Sequence, residues 1–499
     1  MRLPPWLWNL LASRKTKIAL ACSPFALCLL VVLFYYGTHW LGCSQAEKLL
    51  RDYEAAGHIV DPEKYWHPAA NARDDLFQDP LFQREWKDPA LVRLFPGHTK
   101  IFSLARRLPS MEPRLAKPTD LANWVDPPAA DDRAAAEFLL KEHRAAVERL
   151  EELRPVLARS KEAVWPVGEL DDRASVAEPM MRLRYTGDAA GEISVFHLAT
   201  GNSDRAAGAV QAMFDVVRLE LEPKPGPISI MAADIALYKT QQVIWEGVMR
   251  GGWNDGQLVA FDRSLTALRP QEAAVKSYLG EIALLRSQTQ WFLCSTRVFP
   301  KIDIHRPSGW DLEELWETTK DSARQFRSPG LELASGVKAQ REFMEGAALS
   351  GGATRERYSP QDLAKFRRME GVWNPHSAYL ANGAQPLGFL ATAALRMESV
   401  IAITRTGIAL ERYRLEMASG TYPASLEALV PRFLPEVPSD PFGTGPLRYQ
   451  LCTDGLPQVW SVGGNFVDDG GLPHITLDQG DLIWITRPIP GFTERDLRR

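Results

Sequence analysis

Residues 201–270 read GNSDRAAGAVQAMFDVVRLELEPKPGPISIMAADIALYKTQQVIWEGVMRGGWNDGQLVAFDRSLTALRP, and their punctuation sets the fold class. Three apolar-periodic runs are separated by clusters that helices do not cross. Gly201 to Asp204 precede the first run, with Ser203 or Asp204 as the expected N-cap. The prolines between Pro223 and Pro227 break it. A long run from Ile228 closes at Gly251-Gly252, where a backbone free to turn left-handed ends a helix. Asn254-Asp255-Gly256 caps the next run, and Pro270 ends it. KSYLGEIALLRSQTQWF, from Lys276, continues the theme. Consecutive amphipathic helices of this kind fold as antiparallel neighbours, each burying one stripe. No fixed repeat length recurs, so the region predicts an irregular α-helical array rather than a regular solenoid. Arrays of this type offer broad surfaces more often than deep clefts.

Outward from this stretch the signals change. Upstream, residues 131–160 are strongly helical, with Phe138, Leu139, Ala146, Leu150 and Leu153 on one stripe and Pro155 as an expected interruption. Residues 44–130 are rich in Pro, Trp and Asp and predict one short helix followed by irregular chain. Downstream, 321–385 mix Gly, Ser and charge and predict a flexible connection. A long helix resumes from about Leu387 to Met417. Its Arg396, Glu398, Arg405, Glu411 and Arg412 make it amphipathic instead of membrane-spanning.

Nearer the N-terminus, Ile18 to Trp40 (IALACSPFALCLLVVLFYYGTHW) contains no Asp, Glu, Lys or Arg. At about 1.5 Å per residue it reaches roughly 35 Å, enough for a hydrocarbon core of about 30 Å. Tyr35, Tyr36 and Trp40 gather at its outer end, where aromatic rings favour the interface. Arg2, Arg14, Lys15 and Lys17 precede it without an acidic residue, and charges after it are mixed. That bias predicts a cytoplasmic leader over 1–17, a retained transmembrane helix over 18–40, and the bulk of the chain outside the inner membrane. A cleaved signal peptide would have a shorter apolar core, although Ser44-Gln45-Ala46 offers a cleavage pattern. The lipoprotein pattern at Leu41-Gly42-Cys43 fails at Trp40. A buried core helix would not be apolar all round behind a basic leader.

The chain of 499 residues is 45% hydrophobic and 24% charged, a folded composition with room for several domains. A net charge of −4 gives no basic face for nucleic acid. Among the five cysteines, Cys294 and Cys452 alone fall in the bulk of the region after the span, as a pair or as two buried thiols.

Residues 409–449, ALERYRLEMASGTYPASLEALVPRFLPEVPSDPFGTGPLRY, carry a second pattern. A helix ends at Gly420, Tyr422-Pro423 turns, and Ser425 to Val430 form one helical turn. Strands are expected at Leu447 to Cys452, Gln458 to Val462, and Asp481 to Ile485. Tyr422, Pro423, Leu426, Leu429, Asp440, Pro441, Phe442, Gly443, Pro446, Tyr449, Ser461, Gly463, Asp468 and Asp469 stand where motifs of one family would place them. The order resembles the globular head of the major pseudopilin of type II secretion systems. The helical region before it is similar to large membrane-anchored proteins of planctomycetes and verrucomicrobia that end in this module. The resemblance implies a small α+β head over 386–499, counting its long helix, behind an extracytoplasmic helical region over 44–320. This sequence departs from the family: it has no prepilin-peptidase site, and its apolar span lies hundreds of residues before the head. Both departures argue against polymerisation into a fibre.

The family's head binds calcium through acidic loop residues. The resemblance therefore puts Asp468, Asp469, Asp478 and Asp481 forward as oxygen donors for Ca²⁺, which suits hard ligands on glycine-containing loops. The other reading of Asp468-Asp469-Gly470-Gly471 and Asp478-Gln479-Gly480-Asp481 is turn chemistry. No HExxH, GxSxG, Walker A or EF-hand pattern occurs. Leu349 to Gly352 lack the Lys-Ser/Thr of a phosphate loop, and His58 and His67 fit local packing. Glu281, on the apolar side of its helix, is either a functional buried acid or a structural one. Trp66, Trp86, Trp124 and Trp165 suit a sugar face or a core. Taken together, the sequence predicts a mainly α, membrane-anchored protein that binds a protein partner in secretion or envelope assembly. The alternative is an envelope hydrolase-like enzyme with dispersed site residues such as Glu281.

Overall fold

The structure is a computed structural model that describes residues 33, 37, 40–58, 60–61, 74–82, 118–163, 173–223, 225–294, 377–417, 420–452, 455–471 and 480–484. It is mainly helical, with one three-stranded antiparallel sheet. The chain divides into two compact units. One comprises Met1–Pro62, Ile282–Glu342 and Leu363–Gln385; the other comprises Glu63–Glu281, Phe343–Asp362 and Pro386–Arg499.

In the first unit a helix over 40–55 buries Ala46, Leu50 and Tyr53, a stripe at helical spacing. Of the expected span Ile18–Trp40, only Leu33, Gly37 and Trp40 are described; they are helical and exposed, and the rest lies outside the described residues. Among the described residues no helix is long and apolar enough to cross a membrane. The expected connection over 321–385 also lies outside them, save for 377–385.

The second unit holds α1 (Asp132–Glu142), α2 (Arg144–Arg159), α3 (Arg173–Ala199), α4 (Ser203–Leu221), α5 (Pro227–Met249), α6 (Asp255–Ala267), the first part of α7 (Pro270–Cys294) and most of α8 (Ser377–Glu416). The expected interruption at Pro155 does not occur: α2 runs through it, and the break falls at His143, between α1 and α2. Pro155 sits four residues before the end of α2, and its missing amide removes one helical hydrogen bond without ending the helix. Phe138, placed on the apolar stripe by its spacing, is exposed, whereas Leu139, Ala146, Leu150 and Leu153 are buried.

The stretch that sets the fold is cut where its punctuation falls. The N-cap of α4 is Asn202, one residue before the expected Ser203 or Asp204, and its side chain accepts from the Arg205 amide. Gly226 precedes Pro227 at the first position of α5. Gly251 takes φ +62° and Gly252 donates to the Gly247 carbonyl at 2.8 Å, a left-handed close to α5. Asn254 and Gln257 form a reciprocal capping box for α6. Trp253 then folds back so that its indole donates to the Ile244 carbonyl at 2.8 Å and meets Phe261 edge-on at 5.0 Å.

α3 is longer than sequence periodicity indicates, because its middle is made of small residues. A Cβ at Gly187 would stand 3.3 Å from Val216, and one at Gly191 would stand 3.1 Å from Met213. These glycines bring α3 close against α4, and Ser194 reaches the Ala206 carbonyl at 3.0 Å. Burying Phe196, Phe214, Val217, Leu221 and Ile230 in this interior is worth about 1.5–3 kcal/mol per side chain.

α8 passes through both parts of the second unit. Towards the array it makes three ion pairs: Arg396 with Asp234 of α5, Arg405 with Asp262 of α6, and Arg412 with Asp255 at the start of α6. Towards the C-terminal module its Gly407 lies against Trp484, with 2.5 Å between the indole and a Cβ placed there. The module is a meander in the order β1 (Arg448–Leu451), β2 (Pro457–Ser461), β3 (Leu482–Trp484), with Tyr449 opposite Val459 and Trp460 opposite Ile483. A 3₁₀ turn at Leu426–Leu429 precedes it. β1 and β3 fall within the ranges expected for them, and β2 begins one residue early, at Pro457.

Candidate functional site

Two groups of titratable side chains merit attention, one in the C-terminal module and one inside the helices. The first centres on Asp440, whose side chain is fully buried. Its carboxylate accepts from the amides of Phe442 and Val462 (both 3.0 Å), from Ser461 Oγ (2.5 Å) and from Arg448 Nη1 (2.8 Å). Four donors satisfy a buried charge that would otherwise be costly. Arg448 also reaches Asp468 at 3.3 Å. Asp468 accepts from Trp460 Nε1 and from the Gly470 amide, both at 3.0 Å, and the indole bond is the main cause holding its carboxyl below the usual range.

Of the four expected calcium donors, the structure places Asp468, Asp469 and Asp481 side by side. Asp481 accepts from the amides of Asp469 (3.3 Å) and Gly471 (2.7 Å). Burial pushes its carboxyl up to about 6; the two amides oppose this, and the charges of Asp468 and Asp469 add to it. Asp469 accepts from the Asn465 amide group at 3.0 Å. Asp478 lies outside the described residues. Among the described residues no group of three or more His, Cys, Asp or Glu side chains is arranged to hold a metal. The carboxylate oxygens that calcium would take already bind backbone amides, an indole and Arg448.

The second group lies between α3, α4 and α5. Glu192 is buried and neither carboxyl oxygen has a hydrogen-bond partner; burial holds its carboxyl well above the usual range. Asp188, one turn earlier, pairs with buried Lys239 of α5. Glu220 at the end of α4 is buried beside Ser229; burial pushes its carboxyl up to about 8, and the Ser229 hydroxyl opposes the rise. Glu281 on α7 is partly buried and rises to about 7 through burial alone. Among the described residues no hydrogen bond or ion pair joins it to Glu192 or Glu220. Sequence reasoning missed Glu192, Asp188, Lys239 and Glu220. The available signal was an ionic residue at the centre of an apolar run, most plainly Lys239 within IALYKTQQVIW.

His58 lies tilted against Tyr53, with ring centroids 5.9 Å apart, a local packing contact. Trp124 meets Phe196 edge-on at 6.3 Å, a core contact. Cys452 is buried, its Sγ 3.9 Å from the Gln450 carbonyl, and the Cys294 side chain lies outside the described residues. No family model, no curated protein and no solved structure matches this chain.

Proposed function

We propose that this is a membrane-anchored extracytoplasmic protein that holds a protein partner, in secretion or envelope assembly, through its helical array and its pseudopilin-like head. The observation that carries the reading is the double engagement of α8. Arg396, Arg405 and Arg412 tie this helix to the array, and Gly407 and Glu411 receive Trp484 and Tyr422 of the head. A pseudopilin's long helix must stay free to pack against other copies. Here the same helix is already covered, which suits a head displayed on a fixed support. Among the described residues the hydrogen-bond networks of the head serve its own turns. Crosslinking and purification of the full chain from detergent-solubilised membranes tests the reading: a stoichiometric envelope or secretion protein is the expected result, and recovery of the chain alone would refute it.

The second reading, a hydrolase-like envelope enzyme, draws on Glu281, because a carboxyl raised to about 7 by burial suits general acid–base work. Hydrolysis of envelope substrates that Glu281→Gln abolishes without unfolding the chain would favour it over the first.

A further inference from the structure

An ionic stripe crosses the apolar interior of the helical array. Arg184, Asp188 and Glu192 recur every fourth residue of α3, so they lie on one face about 6 Å apart along the axis. Lys239 of α5 stands opposite, buried, and bonds Asp188. Two further groups on the stripe are unsatisfied: both carboxyl oxygens of Glu192, and Arg184 Nε. Folded proteins rarely leave such groups unpaired, and here the orphans flank an ion pair that could satisfy either.

The charges acting on Glu192 are those of Asp188 and Lys239. Several ionic groups on the other helices packed against α3 are engaged elsewhere. On α4, Arg218 holds Asp215 and the carbonyls of Leu157 and Ser160, and Glu220 lies beside Ser229. On α1 and α2, Arg133 pairs with Glu137, Arg144 with Glu148, Arg149 with Glu152 and Arg154 with Glu151. His197, on α3 itself, feels Arg205 and Glu151.

We propose that this stripe is a two-position charge switch in which Lys239 exchanges carboxylates. The structure shows Lys239 on Asp188 with the Glu192 oxygens and Arg184 Nε unpaired, and this is the position in which Glu192 carries its proton. When Glu192 gives its proton to solvent, Lys239 moves one turn along α3 to the new carboxylate, and Arg184 takes over Asp188. Each position pairs every buried charge but one or none: two cations with one anion in the first, two with two in the second. The lysine stem is long and flexible enough for the step. Arg184 and Asp188 are only partly buried, which gives the proton a way out. α5 carries Asp234 five residues before Lys239, so the exchange acts on the same helix that anchors Arg396 of α8.

The test follows the infrared band of protonated carboxylic acid in the full chain in detergent, from pH 5 to 9, for wild type, Glu192→Gln, Arg184→Gln and Arg184→Lys. Wild type should show a titrating acid that Glu192→Gln removes, against an unchanged background from Glu220 and Glu281. Arg184→Gln should move that step upward by on the order of one pH unit, because Asp188 then has no second partner to release Lys239. Arg184→Lys should restore it towards wild type. Should Glu192→Gln fail to fold, the step that moves between wild type and Arg184→Gln identifies the switch by itself. An acid step that stays in place in Arg184→Gln would overturn the proposal, since a carboxyl that is merely buried does not depend on Arg184.

Discussion

At Asp440 one carboxylate closes the turn Asp440–Gly443, fixes Arg448 and receives Ser461 at the end of β2 and Val462 just after it. Replacing it by Ala strands four donors, one of them charged, at a cost of about 3 kcal/mol or more. Amide exchange in β1 and β2 should then quicken by about a hundredfold or more, while that of α4 stays unchanged. Asp481 makes a different prediction. Its folded value of about 6 lies above the ordinary 3.8, so its contribution to stability is complete below 3.8 and is lost as pH rises through 6, with no further loss beyond. Exchange in β3 should follow that course in wild type and flatten in Asp481→Asn. Because its oxygens already accept amides, chelator or added Ca²⁺ at pH 7.5 should leave the melting temperature within about 1 °C. A calcium-dependent rise, with Asp481 titrating lower, would instead assign the acidic loop to the metal.

Among elements, α8 touches both the array and the C-terminal module, and its ion pairs are of unequal weight. Arg396 and Asp234 are both largely buried, whereas Asp255, the partner of Arg412, is 60% exposed in its side chain. Arg396→Met leaves Asp234 buried without its cation and should cost about 3–5 kcal/mol, seen as a lowered urea midpoint. Adding Asp234→Leu should recover most of that loss, because an apolar pair of similar size needs no desolvation. Arg412→Met should cost about 1 kcal/mol or less. The elements themselves were legible where chemistry was local. Asn254, Pro227 and Gly251 mark the ends of α5 and α6 in the sequence as in the structure, since capping and turning need only neighbours. What α8 grips was not legible: Arg396 and Asp234 are 162 residues apart, and nothing near either names its partner. α3 escaped notice for a related reason. Gly187 and Gly191 read as weak helix formers, and their use is a close approach to Val216 and Met213 that exists only after packing. The candidate site divides in the same way. The acidic loop could be read from its Asp-Gly pairs, but the Glu192 stripe needed α5 beside α3 to become visible.

For the whole molecule, the arrangement of α8 and the apolar segment Ile18–Trp40 lead to one expectation about where the chain resides. A span with basic residues before it and mixed charge after it should hold the N-terminus in the cytoplasm and the array outside. The full chain should therefore stay in the membrane pellet through alkaline carbonate extraction, and deletion of residues 1–42 should move it to the supernatant without altering its helical content. Protease added to spheroplasts should remove the array and head but spare a tag placed before Arg14. If the segment were instead cleaved as a signal, the mature chain would begin near Ala46 and leave the pellet without any deletion. N-terminal sequencing of the membrane fraction distinguishes the two. The buried stripe Ala46, Leu50 and Tyr53 adds a structural consequence. The helix over 40–55 buries one apolar face, so a chain anchored by the preceding segment should pass directly into folded structure. Lengthening the join at Gly42-Cys43 by a flexible insert should then leave anchoring intact and weaken only the protection of that helix from protease.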